Sequence, residues 1–152
     1  SEAHRPLVES LWPRNVALDI IPFSERYAAI KGCGFVLTAS GTATLECALL
    51  GVPAIVAYRV SRLSYLIARM VVDVPYISMT NIILQREVFP EFIQARASGN
   101  RLTRQALVWM QHPDALRTIR ERLRSVQTRL GQKKASTTCA QIILQALHKE
   151  CT

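Results

Sequence analysis

Two short apolar runs, residues 35–38 and Ala54–Tyr58, each lead within a few residues into a helix-length segment. This tight alternation constrains the fold more than any other feature. Neither run alternates apolar with polar residues, so each reads as a strand covered on both faces, the mark of a parallel sheet flanked by helices. Residues 41–50 read as a helix that stops at Gly51, with Pro53 beyond it. Upstream, the β-branched stretch 16–21 reads as a further strand, and Ser24 as the cap of a short helix carrying Glu25, Tyr27, Ala28 and Ile30 before Gly32 and Gly34. Downstream, 63–72 reads as an apolar helix and 76–79 as another short strand.

Beyond Asn81 the strand signals stop. Residues 100–111 place Leu102, Ala106, Leu107 and Met110 on one helical face, and His112-Pro113 breaks that helix. Residues 115–130 carry Leu116, Ile119, Leu123, Val126 and Leu130 at helical spacing, with Arg117, Arg120, Arg122 and Arg124 elsewhere around it. After a polar break at 131–134 a last helix holds Ala140, Ile143, Leu144 and Leu147. The expected fold class is α/β: a Rossmann-like parallel sheet with helices on both faces over residues 1–98, then a helical tail over 99–152. The chain has no initiator Met and opens on what reads as the tail of a helix, so an upstream segment is expected.

Charge and cysteine usage exclude several classes of function. Lys and Arg outnumber Asp and Glu by 19 to 11, a formal +8 that suits an anionic partner without choosing among them. Cys33, Cys47, Cys139 and Cys151 lie far apart and form no C-x-x-C pair, so they read as free thiols of a reducing compartment. His4, His112 and His148 show no metal-ligand spacing. Pro53, Arg59, Arg62 and Arg69 interrupt the most lipid-like stretch, 49–72, which argues against a spanning helix.

The informative segment is Ala39-Ser40-Gly41-Thr42-Ala43-Thr44-Leu45-Glu46, where a buried strand hands over to a helix. Such a turn gathers free backbone N–H groups and a helix dipole at the carboxyl edge of the sheet, where doubly wound folds bind nucleotides. Gly41 lets a phosphate approach the backbone, and Ser40 and Thr42 add hydroxyls. Glu46 lies one turn after Thr42 on the same face. A carboxylate repels a diphosphate, so its useful role is to accept hydrogen bonds from ribose hydroxyls. The bland alternative makes Ser40 an N-cap, Gly41 a tight turn and Glu46 a solvated residue. The segment is neither a Walker loop nor G-x-G-x-x-G.

The longer pattern is more specific. Ser40 through Glu46, then Leu50-Gly51-Val52-Pro53, Tyr58-Arg59, Leu63-Ser64-Tyr65, Val74-Pro75-Tyr76-Ile77-Ser78, Asn81-Ile82 and Arg86-Glu87-Val88 resembles the C-terminal part of the lipid-A-disaccharide synthase family, in order and with the expected gaps. The resemblance implies the C-terminal half of a two-domain GT-B glycosyltransferase that holds UDP. The implied reaction is metal-independent and cofactor-free: inverting transfer of 2,3-diacylglucosamine from UDP to 2,3-diacylglucosamine 1-phosphate, in lipid A biosynthesis. Carried over by position, Ser40, Gly41 and Thr42 line the diphosphate and Glu46 holds the ribose. Asn81 matches a donor-site Asn, with an N-cap as its alternative; Arg86 matches an Arg that neutralises phosphate or pairs with Glu87. Tyr58 and Arg59 fall at a strand end facing the implied cleft, where a packing Tyr and a solvated Arg are the alternative.

The chain also departs from the family. Met79-Thr80 stand where Leu-Pro is common, and Ile83-Leu84-Gln85 where Leu-Ala-Gly is usual, which loosens the placement of Arg86. The family's Gly-Ser-Arg loop, its acceptor-side domain and its general base have no counterpart, so no catalytic residue is assigned. The implied partners are the two acylated sugars, a missing N-terminal domain, a second copy of the chain and the inner membrane surface. The implied location is cytoplasmic, peripheral at the inner face of the inner membrane. Helix 63–72 offers lipid an apolar face, with burial in the core or against the missing domain as its alternative, and the arginines of 117–129 offer anionic lipid a basic one, with a solvated face as theirs. Other UDP-sugar enzymes of this fold, an epimerase or the peptidoglycan transferase, are alternatives. A basic nucleic-acid-binding module is a further one, although the chain has no helix-turn-helix spacing, zinc finger or aromatic RNP motif.

Overall fold

The computed structural model describes residues 2–61, 65, 74–130, 139, 140 and 142–145. Its centre is a three-stranded parallel sheet in the order β1 (Val36–Thr38), β2 (Ala54–Tyr58), β3 (Glu91–Ile93). Thr38 pairs with Val56 and Tyr58 with Ile93, so all three strands end along one carboxyl edge. Ala54, Ile55 and Val56 are at most 1% exposed. Consecutive strand residues point to opposite faces, so β2 is covered on both, as its unbroken apolar character requires.

Around the sheet lie helices α1 (Arg5–Leu11), α2 (Arg26–Gly32), α3 (Thr42–Leu49), α4 (Met79–Leu84), α5 (Gly99–Gln111) and α6 (Pro113–Leu130). Helix α3 packs on β1 and β2, and α6 lies across both α3 and α4. The buried face of α6 is Leu116, Ile119, Leu123 and Val126, as their spacing leads one to expect, whereas Leu130, expected on the same stripe, is exposed at the helix end. Trp109 of α5 is buried and meets the Phe35 ring edge-on at 5.5 Å. These side chains join Ala54, Ile55, Val56 and Phe89 in one apolar core, in which α5 packs against β2 and α6 against α3 and α4.

Two arginines on the polar side of α6 fasten it to the fold. Arg120 donates to the Gly34 carbonyl (3.0 Å) and Arg129 to that of Ile83 (2.7 Å), while Arg117 pairs with Asp114 on the helix itself. Part of the basic run thereby serves packing rather than an anionic surface.

Several expectations need correction. Residues 16–21 form no strand: Val16 donates to the Pro13 carbonyl in a turn, and Val16 and Ile21 are each nearly half exposed. Branched side chains favour extended backbone, but a strand also needs a partner edge, and the described residues supply none there. Ser24 does not cap α2; it lies in a 3-10 turn, Phe23–Glu25, and Glu25 holds the cap position without a side-chain bond. Residues 76–78 are a loop running into α4, which Ser78 caps and Met79 begins, so no strand forms over 76–79. A strand does follow Asn81, namely β3, which Glu91 hides from an apolar reading of the sequence. The helix expected over 63–72 lies outside the described residues apart from Tyr65, whose amide donates to the Ser61 carbonyl. Of the last helix, 139, 140 and 142–145 are described and helical. No described helix is long and apolar enough to cross a membrane.

Candidate functional site

The corner after β1 is built around Gly41. It is the N-cap of α3 with φ 141° and ψ −161°, a conformation that disfavours any side chain, and no side chain caps the helix. A Cβ placed there would meet no atom within 4 Å, so backbone conformation rather than crowding demands glycine, and the approach to the backbone is open. Buried Thr44 donates to the Gly41 carbonyl through both its N–H (3.2 Å) and its hydroxyl (2.7 Å). The N–H groups of Thr42 and Ala43, at the start of α3, have no intrahelical acceptor and carry the positive end of the helix dipole.

The other expected residues fall at graded distances from this corner. Ser40 is half-buried and donates its hydroxyl to the Ile77 carbonyl at 2.7 Å, so it ties the corner to the loop before α4 and offers a ligand only its lone pairs. Thr42 is exposed. Glu46, one turn along α3 and half-buried, accepts a hydrogen bond from the Tyr27 hydroxyl at 3.2 Å. Tyr27 in turn accepts from Arg26 at 2.7 Å, and the Arg26 guanidinium stacks between the rings of Phe23 (3.8 Å) and Tyr27 (4.0 Å). The sequence contained a signal for this pair, an aromatic residue beside an arginine just upstream of the motif, but nothing local shows that it reaches across 19 residues to Glu46.

Asn81 is of a different kind. It is fully buried inside α4, not a cap, and its amide makes four hydrogen bonds. Oδ1 accepts from the Val88 and Phe89 amides (2.8 and 2.9 Å), and Nδ2 donates to the Phe89 carbonyl and to Glu91 Oε1 (2.7 and 2.8 Å). That exhausts the capacity of its NH2 group and both lone pairs. Its partner Glu91, missed at the sequence level, is 8% exposed and also accepts from the amides of Ile77 and Ser78 (2.9 Å each) and the Ser78 hydroxyl (2.7 Å). A carboxylate interrupting the run Phe89-Pro90-Glu91-Phe92-Ile93 was the visible clue. A buried charge is tolerated only when such donors surround it.

Arg86 is exposed and follows the left-handed Gln85 (φ 54°) that ends α4. It therefore lies beyond the end of α4 opposite Ser78 and is not brought beside Ser40. Tyr58 and Arg59, both exposed, end β2 at the carboxyl edge. Arg59 lines a cleft of about 250 Å³ with Val60, Tyr65, Gln94 and Ala95. Gln94 holds its wall by pairing both ways with the Val60 backbone, at 3.1 Å in each direction. Of the thiols, Cys33 is exposed and Cys47 is buried in α3; burial, with smaller contributions from Glu46 and Cys33, pushes the Cys47 thiol up from 9.0 to about 11. No group of three or more potential metal ligands occurs among the described residues.

Comparison with known proteins gives the chain a family. Lipid-A-disaccharide synthases from several bacteria are similar to the chain. The protein of Syntrophus aciditrophicus is 40% identical over 123 residues, covering 81% of this chain and 32% of its own length. That of Geobacter sulfurreducens is 33% identical over 153 residues, covering 95% and 40% respectively. That of Nitrosococcus oceani is 35% identical over 133 residues, covering 88% and 34%. The chain thus spans about a third to two fifths of the length of these relatives. The family model for lipid-A-disaccharide synthetase matches residues 1–146, nearly the whole chain, and on that match the chain belongs to the lipid-A-disaccharide synthetase family.

Proposed function

We propose that this chain is the donor-binding part of a lipid-A-disaccharide synthase, holding the UDP moiety of a UDP-linked 2,3-diacylglucosamine. The observation that carries the reading is the uncapped start of α3 at Gly41, at the carboxyl edge of a parallel sheet, with Glu46 one turn further on. Free N–H groups and the dipole favour pyrophosphate at that point. Glu46, a helical turn or about 6 Å along the axis, accepts from the ribose hydroxyls. Thr42 adds a hydroxyl donor to the phosphates. Ser40 and Asn81 act by fixing the loops around the ligand, Ser40 through Ile77 and Asn81 through Glu91. Arg86 contributes charge from the far end of α4 rather than a contact.

With the donor held, an acceptor sugar hydroxyl attacks the anomeric carbon from the face opposite UDP, so the configuration inverts and UDP departs with the bonding pair. The dipole of α3 stabilises charge developing on the leaving diphosphate. No residue of this chain is assigned as the base. We assign the base and the acceptor-binding surface to the part of the relatives' length that this chain does not match, the other half of a GT-B cleft. The acyl chains of both sugars would be presented from the inner membrane surface.

The test is calorimetric titration of the complete gene product with UDP, CDP and ADP. Micromolar to millimolar UDP binding that the other nucleotides do not match supports the reading. Equal affinity for all three, or no binding, overturns it.

A further inference from the structure

We propose that Tyr27, oriented by Arg26, is a positioning residue that sets the Glu46 carboxylate for the ribose diol. The inference rests on the assignment of Glu46 to the ribose. The hydrogen-bond chain has one allowed direction. Arg26 has only donors, so at 2.7 Å the Tyr27 oxygen must accept from it. The single phenolic proton is then free for one acceptor, and Glu46 Oε1 lies 3.2 Å away. Arg26 is itself fixed three ways, by its two ring contacts and by a 3.0 Å bond from Nη1 to the Phe23 carbonyl.

A glutamate on a helix surface has three rotatable bonds, and gripping two adjacent hydroxyls requires one orientation of its carboxylate. The bond from Tyr27 selects that orientation before the nucleotide arrives and leaves Oε2 and the second lone pair of Oε1 for the diol. Ordering one rotamer-rich side chain in advance corresponds to an affinity gain of about threefold to tenfold.

The experiment uses Tyr27→Phe, which retains the ring under Arg26 and removes only the hydroxyl. In the complete gene product, affinities for UDP and for 2′,3′-dideoxy-UDP are compared by calorimetry. The expected result is that Tyr27→Phe weakens UDP about threefold to tenfold and leaves the dideoxy analogue unchanged, with Arg26→Gln intermediate. Unchanged UDP affinity in Tyr27→Phe overturns the proposal, and so does an equal loss for both nucleotides, which a merely structural role would give. Wild-type protein that does not distinguish the two nucleotides, or Glu46→Ala that still does, instead removes Glu46 from the ribose and overturns the underlying assignment.

Discussion

Two helices begin near the same edge of the sheet, and they treat their N-termini in opposite ways. At α4 the protein supplies its own anion: Glu91 accepts from the amides of Ile77 and Ser78, Ser78 caps Asn81, and Asn81 closes the circle back to Glu91. At α3 no side chain caps the helix, and the glycine at its start leaves the approach open. Because an uncapped helix start is favourable for an anion, the pair, on the proposed reading, separates residues that complete the fold from those that meet the nucleotide. Asn81 and Glu46 both belong to the motif that resembles the family, yet only Glu46 retains unused acceptor capacity. Saturation of hydrogen bonds, rather than membership of a motif, is the criterion that divides them.

The largest expected effect breaks the α4 circle. Asn81→Ala leaves the Val88 and Phe89 amides and a buried carboxylate short of partners, and should cost about 3–5 kcal/mol in urea unfolding. An unchanged midpoint would show that α4 does not depend on the circle.

Next comes Cys47, on the inward side of α3. Its thiol is raised to about 11 in the fold, so the folded state keeps a proton that the unfolded chain releases near 9.0. Its contribution is complete below pH 9 and is lost as pH climbs toward 11, reaching about 2–3 kcal/mol there. Cys47→Ala should flatten the stability profile across that window. A profile that falls equally in both proteins would assign the loss to other groups.

On the outward side of the same helix, Glu46→Ala should weaken UDP binding at least about tenfold, the worth of a hydrogen bond to a charged group. Stability should change by less than about 1 kcal/mol, since only the bond from half-exposed Tyr27 is lost. A stability loss matching that of Asn81→Ala, with UDP affinity intact, would erase the distinction between the two corners. The smallest effect belongs to Arg86→Ala. Acting from beyond α4 through solvent, it should reduce UDP affinity only about twofold to fivefold, and less in high salt. A loss that persists in high salt would place its guanidinium on the phosphates.

What the sequence made legible follows from how local each interaction is. β2 and most of α6 were readable because their apolar spacing is local and their burial follows from it; α5 was readable as a helix, but of its expected face Leu102 and Ala106 pack on the core while Leu107 and Met110 are exposed and Trp109 is the buried residue. The corner at Gly41 was readable for the same reason: strand, glycine and helix start are neighbours in sequence. The pairing of Glu46 with Tyr27, and of Asn81 with Glu91, was not, because it depends on how distant segments fold over one another. β3 escaped notice because its first residue is a carboxylate whose burial makes sense only once its four donors are in place. Residues 16–21 misled in the reverse direction, with branched side chains suggesting a strand that no neighbouring edge receives.

The central claim is that the start of α3, not that of α4, is left for the nucleotide, and amide NMR during titration of the complete protein with UDP tests it most directly. The account predicts that the resonances of Gly41, Thr42 and Ala43 move most, while those of Ser78 and Asn81, already committed within the fold, move little. Saturating UDP that leaves the first three in place, or that shifts Ser78 and Asn81 more, would contradict it.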